Sequence, residues 1–301
     1  MPVITVIVSC SNRKSVAPHP SLLIRNLIRS DLKESSDIWH ESLNASTDRL
    51  AADKLYLGEY WSVVRNIAKQ ERAKIWIFSA GMGIIPYSAK IPSYSATYSS
   101  DSLDSVRKLE SKNKDTNQNW FNLILEKQQF GIGTAELKTI LNQDTILFAV
   151  SRSYLQTIQN ILLEINNPQL FILGSNLRNI QVKNKVEVPG SLRMALGGSL
   201  QTVNIRLVEY LLTQTTLLQK ETVSLAEINS VVKTLSENSG DLPKYERLKS
   251  TDVEIENFIR SRPIETHNDS HSRALRDFRN AGNACEQSRF KKIFLSVMEK
   301  H

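Results

Sequence analysis

Near its start the chain carries Val3-Ile4-Thr5-Val6-Ile7-Val8, a run built entirely of β-branched residues that stops abruptly at Ser9-Cys10-Ser11. Side chains branched at Cβ lose rotamer freedom in a helix and pack well on a pleated surface. Because the run shows no polar alternation, it belongs to a strand covered on both faces, as in a parallel sheet. Three more runs follow the same rule: Lys74–Ser79, Asp144–Val150 and Gln169–Leu173. Between and after them, Ser21–Lys33, Ala51–Gln70, Ser153–Ile165 and Leu200–Leu212 repeat apolar residues at helical spacing. The expected fold is α/β: a mostly parallel sheet with helices on both faces, plus a small all-α C-terminal module.

With 301 residues, 41% of them hydrophobic, the chain can bury a full core. We expect an α/β domain over residues 1–220 and a helical, basic module over 221–301. Residues 214–244 are polar and read as a connector. Thr251–Arg260, Ser270–Ala281 and Glu286–Glu299 read as short helices. The formal net charge is +7. Nine basic and five acidic residues fall between Arg260 and His301, so more than half of the excess sits in that last stretch. On Ser270–Ala281 the arginines Arg273, Arg276 and Arg279 lie opposite Ala274, Leu275 and Phe278, and Arg289, Lys291 and Lys292 follow. A helix that buries one face and offers cations on the other suits a phosphate backbone, although a solvated charged face is the plainer reading.

Two cysteines, Cys10 and Cys285, cannot make a disulfide framework, and the histidines form no ligand-spaced cluster, so no metal is expected. A reducing, cytoplasmic setting follows, with no membrane partner, since Val3–Val8 is too short for a signal-peptide core and no apolar stretch is long enough to span. The absence of Gly-Lys-Ser/Thr and of a third glycine after Gly81-Met82-Gly83 argues against a P-loop or a dinucleotide fingerprint.

Three loops attract attention because loops at the carboxyl ends of parallel strands line the ligand crevice. The first is Ser9-Cys10-Ser11-Asn12-Arg13-Lys14, where Arg13 and Lys14 would favour a thiolate at Cys10. Cys10 is then either a reactive thiol or a small buried one closing the strand. The second is Ser79-Ala80-Gly81-Met82-Gly83, with the hydroxyl-rich Pro92–Tyr98 after it; two glycines let a backbone approach a ring or anion closely. The third is Arg193–Ser199 before a helix, with Arg193 and Arg206 able to meet an anion.

Taken in order, Val8–Lys14, Leu55-Tyr56-x-Gly58-x-x-Trp61, Ser79-Ala80-Gly81-x-Gly83 and Pro92–Thr97 resemble the DpdC-like, YaaA-domain family of DNA 7-deazaguanine modification systems. Cys10-x-x-x-Lys14 is also similar to the core of archaeosine synthases, although Ser9 and Ser15-Val16 stand where that pattern has proline and Pro-Tyr. The resemblance implies hydration of the nitrile of 7-cyano-7-deazaguanine in DNA to the 7-amido form, within restriction-modification. It implies no cofactor, and as partners DNA carrying the 7-deazaguanine base and other proteins of the system. Cys10 would attack the nitrile, with Lys14 or Tyr56 as proton donor; alternatively Cys10 only shapes the pocket. Ser11, Arg13, Ser79, Gly81, Gly83, Tyr94, Ser95 and Arg193 would hold the base. Nucleoside hydrolysis, base exchange, or a non-catalytic DNA-binding role are the alternatives.

Overall fold

A computed structural model describes residues 2–27, 31–240, 246–262 and 270–299. Strand β1 (Ile4–Ser9) leads through helix α1 (Leu32–Ala45), strand β2 (Arg49–Ala51) and helices α2 (Ala52–Leu55) and α3 (Glu59–Ile67) into β3 (Ala73–Ser79). A tight turn returns the chain as β4 (Gly83–Pro86), and β5 (Lys90–Pro92) then pairs with β2. Helices α4 (Thr116–Lys127) and α5 (Thr134–Leu141) precede β6 (Thr145–Ala149); α6 (Arg152–Leu163) connects it to β7 (Leu170–Gly174), and β8 (Lys185–Glu187) completes the sheet. Helices α7 (Arg193–Leu196), α8 (Val203–Thr213) and α9 (Leu225–Glu237) follow.

The central sheet has the order β4-β3-β1-β6-β7-β8, parallel except for β4. Strand β1 lies between β3 and β6, with Val6 paired to Ile75 on one side and Leu147 on the other. That central position accounts for its unbroken β-branched sequence: Ile4, Val6, Ile7 and Val8 are fully buried. Helix α3 packs with α8, and α4 packs with both α1 and α6; consecutive buried residues along β1 and β6 show that both faces of the sheet are covered.

The chain divides into two compact units, Met1–Asp241 and Leu242–His301. The expected boundary after residue 220 therefore moves some twenty residues on. Helix α9, read from sequence as part of a polar connector, buries Ile228, Val232 and Leu235 in the first unit's core. In the second unit β9 (Leu248–Lys249) pairs with β10 (Asn283–Ala284), and α10 (Asp252–Ser261), α11 (His271–Asn280) and α12 (Gln287–Met298) surround a separate core. Thr251, Ser270 and Glu286 cap the three helices within a residue of the expected starts. His267 and the segment around it lie outside the described residues.

Three expectations about the first unit change. The helix expected over Ser21–Lys33 is replaced by two short 3-10 turns, and an α-helix begins only at Leu32. Backbone groups there bond across the chain instead: Ser95 N–H donates to Leu22 O at 2.8 Å and Ile24 N–H to Ser95 O at 3.0 Å. The helix expected over Ala51–Gln70 breaks at Gly58, whose φ of +107° suits glycine. Finally, the Gly81-Met82-Gly83 loop is a hairpin turn between β3 and β4, with Ser79 paired to Gly83.

That turn is locked from several directions. Ser79 Oγ accepts from the Gly81 and Met82 amides at 3.2 and 3.1 Å. Two tryptophans hold its carbonyls: Trp39 of α1 donates to Gly81 O at 2.7 Å and Trp120 of α4 to Ala80 O at 2.8 Å. A Cβ at Gly81 would stand 2.8 Å from Tyr94 ring carbons and 3.0 Å from the Trp39 ring. Gly81→Ala should therefore destabilise the first unit by about 1–3 kcal/mol, the usual cost of overpacking a core. All four tryptophans belong to this unit, so fluorescence-detected urea unfolding reads it selectively. A midpoint indistinguishable from wild type would contradict the packing described.

Candidate functional site

The sheet order changes direction at β1: the chain goes first to β3 on one side and later to β6 on the other. At such a switch point the loops leaving two adjacent strands diverge, and a crevice opens outside their carboxyl ends. A cleft of about 760 Å³ occupies that position. Its walls are Ser9–Arg13 after β1, Ala149–Leu155 running from β6 into α6, Gly174 and Ser175 after β7, and Leu200, Gln201 and Asn204 at the approach to α8. A second cavity of about 620 Å³, lined by Val16–His19 and Ser46–Leu50 among others, lies elsewhere in the first unit and holds no cysteine.

Tyr60 of α3 joins the two strands at the switch point. Its hydroxyl accepts from Ser9 N–H at 3.1 Å and donates to Ala149 O at 2.6 Å. Burial raises its pKa, so the phenol remains a neutral bridge. Beside it, Cys10 is partly exposed and lines the cleft. Cys10 Sγ lies 3.2 Å from Tyr154 Oη, on the first turns of α6. Burial, and then the neighbouring Cys10, pushes the Tyr154 phenol well above its ordinary range. A phenol that stays protonated can donate to a thiolate and accept from a thiol, so it suits either state of the sulfur. Tyr98, 2% exposed, packs edge-on to the Tyr154 ring at 4.8 Å between centroids.

Several of the residues singled out from sequence stand apart from the cleft. Ser11 and Arg13 line it with Cys10. Lys14 does not: its ammonium donates to Ser11 O at 2.8 Å and lies over the Tyr94 ring, 4.3 Å from the centroid. Burial pulls its pKa down to about 8, against the opposing influence of Cys10 and Asp104. Tyr56, expected as a proton donor, is fully buried; its hydroxyl meets Tyr94 Oη at 2.7 Å, which in turn meets Ser79 Oγ at 2.6 Å. Ser79, Gly81, Gly83 and Tyr94 thus are buried in the core around the hairpin turn, and none of them lines the cleft.

Ser95 is likewise occupied, donating to Asp104 Oδ2 at 2.7 Å beside the Arg25–Asp104 ion pair. Arg193 lies on α7, outside the cleft lining, and Arg206 is paired with Glu59 at 3.0 Å. Sequence reading missed Tyr60, Arg152 and Tyr154. Tyr60 stands within the Gly58-x-x-Trp61 stretch and Tyr154 within an expected helix, so only strand order brings them to Cys10.

In the second unit, Arg273, Arg276, Lys291 and Lys292 are exposed. Arg279 and Arg289 have internal duties: Arg279 donates to Cys285 O at 2.8 Å, and Arg289 pairs with Asp252. The outward cationic set is therefore smaller than the six residues named from sequence. Among the described residues no three His, Cys, Asp or Glu side chains gather as for a metal, and no helix is long and apolar enough to cross a membrane.

Neither the protein-family models nor the curated proteins contain a match to this chain.

The two thiols differ in access: Cys10 is partly exposed and lines the cleft, whereas Cys285 is buried. Cys285 is 8% exposed within the second unit's core, where burial raises its pKa. An aromatic disulfide reagent should therefore titrate one thiol in the native protein and two after denaturation, with Cys10→Ser abolishing the native signal. Two equal native reactions, or one that survives Cys10→Ser, would contradict this placement.

Proposed function

We propose that this chain hydrates the nitrile of 7-cyano-7-deazaguanine in DNA to the carboxamide, acting as a DpdC-like protein of 7-deazaguanine modification. The observation that carries the reading is a cysteine thiol at the switch-point cleft, in hydrogen-bond contact with a buried phenol. An open cleft of about 760 Å³ is large enough to receive a nucleobase. Chemistry on a base inside a duplex requires it to leave the stack, which fits a cleft open to solvent.

In the proposed reaction Cys10 sulfur attacks the nitrile carbon while the nitrile nitrogen takes the thiol proton, giving a thioimidate. Tyr154, 3.2 Å from the sulfur, is placed to relay that proton. Water then adds to the thioimidate carbon, the carbon–sulfur bond breaks, and the sulfur recovers its proton as the carboxamide forms. The sum is nitrile plus water to amide, with no oxidant or reductant. Tyr154 takes the role that the resemblance gave to Lys14 or Tyr56. Lys14, tied to Ser11 O, supports the loop that carries Cys10.

Incubating the pure protein with DNA containing the cyano base, then analysing nucleosides, tests the reading. Conversion to the amido base is expected, falling at least about 10²-fold in Cys10→Ala and about tenfold or more in Tyr154→Phe. Release of free base would transfer the site to glycosidic chemistry, and tight binding without conversion would make the chain a non-catalytic reader.

The second unit supplies DNA contact in this reading. Replacing Arg273, Lys291 and Lys292 by Gln should lower the slope of log affinity against log salt by about three, near one for each phosphate no longer neutralised. An unchanged slope would remove these cations from the DNA interface.

A further inference from the structure

We infer that the cleft beside Cys10 contains an anion subsite, formed by Arg152 and Arg13, that takes the phosphate of a nucleotide. The inference rests on reading the cleft as the place where a nucleotide docks. Its first support is the charge of the walls. Among the described residues that line the cleft there are two arginines and no aspartate or glutamate. The arginines come from the two loops that diverge at the switch point, Arg13 after β1 and Arg152 after β6. A cleft walled by cations, without a compensating carboxylate, selects against cations and for an anion.

The second support is an unmet hydrogen bond. Arg152 Nε is buried and has no hydrogen-bond partner. With Nε closed off from solvent, the accessible terminal nitrogens of the guanidinium fork, which have no hydrogen-bond partner among the described residues, are the donors a phosphate oxygen can meet. Arg206, the other arginine with an unpartnered buried Nε, differs in that its terminal nitrogen is paired with Glu59. Arg152 therefore stands out as a cation placed at the cleft with no anionic partner among the described residues.

The neighbouring groups suit the same ligand. Arg152 is the first residue of α6; Ser151 precedes that twelve-residue helix with its hydroxyl 3.2 Å from Ser153 Oγ and makes no side-chain bond to the helix amides. The positive end of the helix thus adds to a site the arginines already define. Asn12, Ser153 and Ser175 contribute neutral donors around the same space. A nucleotide whose phosphate meets Arg152 would leave its base free to extend toward Cys10, since both residues line one cleft.

The test compares guanosine 5′-monophosphate with guanosine by calorimetry on the full chain, followed by displacement with a single-stranded oligonucleotide. The wild type should prefer the monophosphate by about tenfold or more. Arg152→Gln should remove most of that preference, and Arg13→Gln a smaller part; unchanged tryptophan fluorescence confirms that each variant folds. Equal affinity of the wild type for the two probes, or a preference that survives both substitutions, overturns the subsite. The oligonucleotide should displace the monophosphate; failure to displace it overturns the assignment to DNA phosphate and gives the subsite to a free nucleotide. Because binding is read without turnover, equal wild-type affinity for the two probes with intact nitrile conversion defeats this inference alone. A wild-type preference for the monophosphate that Arg152→Gln removes, without any nitrile conversion, defeats the proposed reaction alone.

Discussion

The parallel pairing of β1 with both β3 and β6 is the constraint on which the rest of the first unit depends. A strand at the centre of a sheet must be apolar on both faces, and β1 has its neighbours β3 and β6 on opposite sides. Both features meet in Ile4–Ser9. The hydrophobic contribution is large: four side chains of this strand are fully buried, each worth about 1.5–3 kcal/mol in transfer free energy. The chemical consequence appears one residue beyond the strand. Because β1 ends between two diverging loops, Cys10 emerges where the core stops and the cleft begins.

The polar interior around this point divides into two groups with different tasks. Tyr56, Tyr94 and Ser79 form a closed hydroxyl chain under the β3–β4 turn, with the two tryptophan donors completing the support. Each buried hydroxyl in that chain has a partner, as a stable interior requires. Tyr60 and Tyr154 stand at the boundary: one ties the strand ends together and the other meets the sulfur. The same side-chain type thus serves rigidity on one side of β1 and the cleft on the other.

Legibility from sequence followed local physics. The four long strands and the three helices of the second unit were readable because each is specified by its own period and caps. Helix α1 escaped because its inward face includes Ser35 and Ser36, fully or nearly fully buried, which blurs the apolar stripe. The hairpin turn was misread because a close-packed turn and a ligand-cradling loop both call for glycine, and only the position of Tyr94 decides between them. Cys10, Ser11 and Arg13 were accessible to sequence reasoning as residues that follow a strand. Arg152 and Tyr154 needed the strand order, which no short motif encodes.

In the proposed reaction Cys10 becomes covalently attached to the substrate carbon. Intact-protein mass spectrometry of the chain mixed with the free cyano nucleoside, quenched in acid, addresses it directly. Addition of a thiol across a nitrile loses no atoms, so the account predicts a mass increase equal to the whole nucleoside, mapped by digestion to the peptide containing Cys10. Nitrile conversion that proceeds at the wild-type rate in Cys10→Ala, with no such species in the wild type, would contradict it.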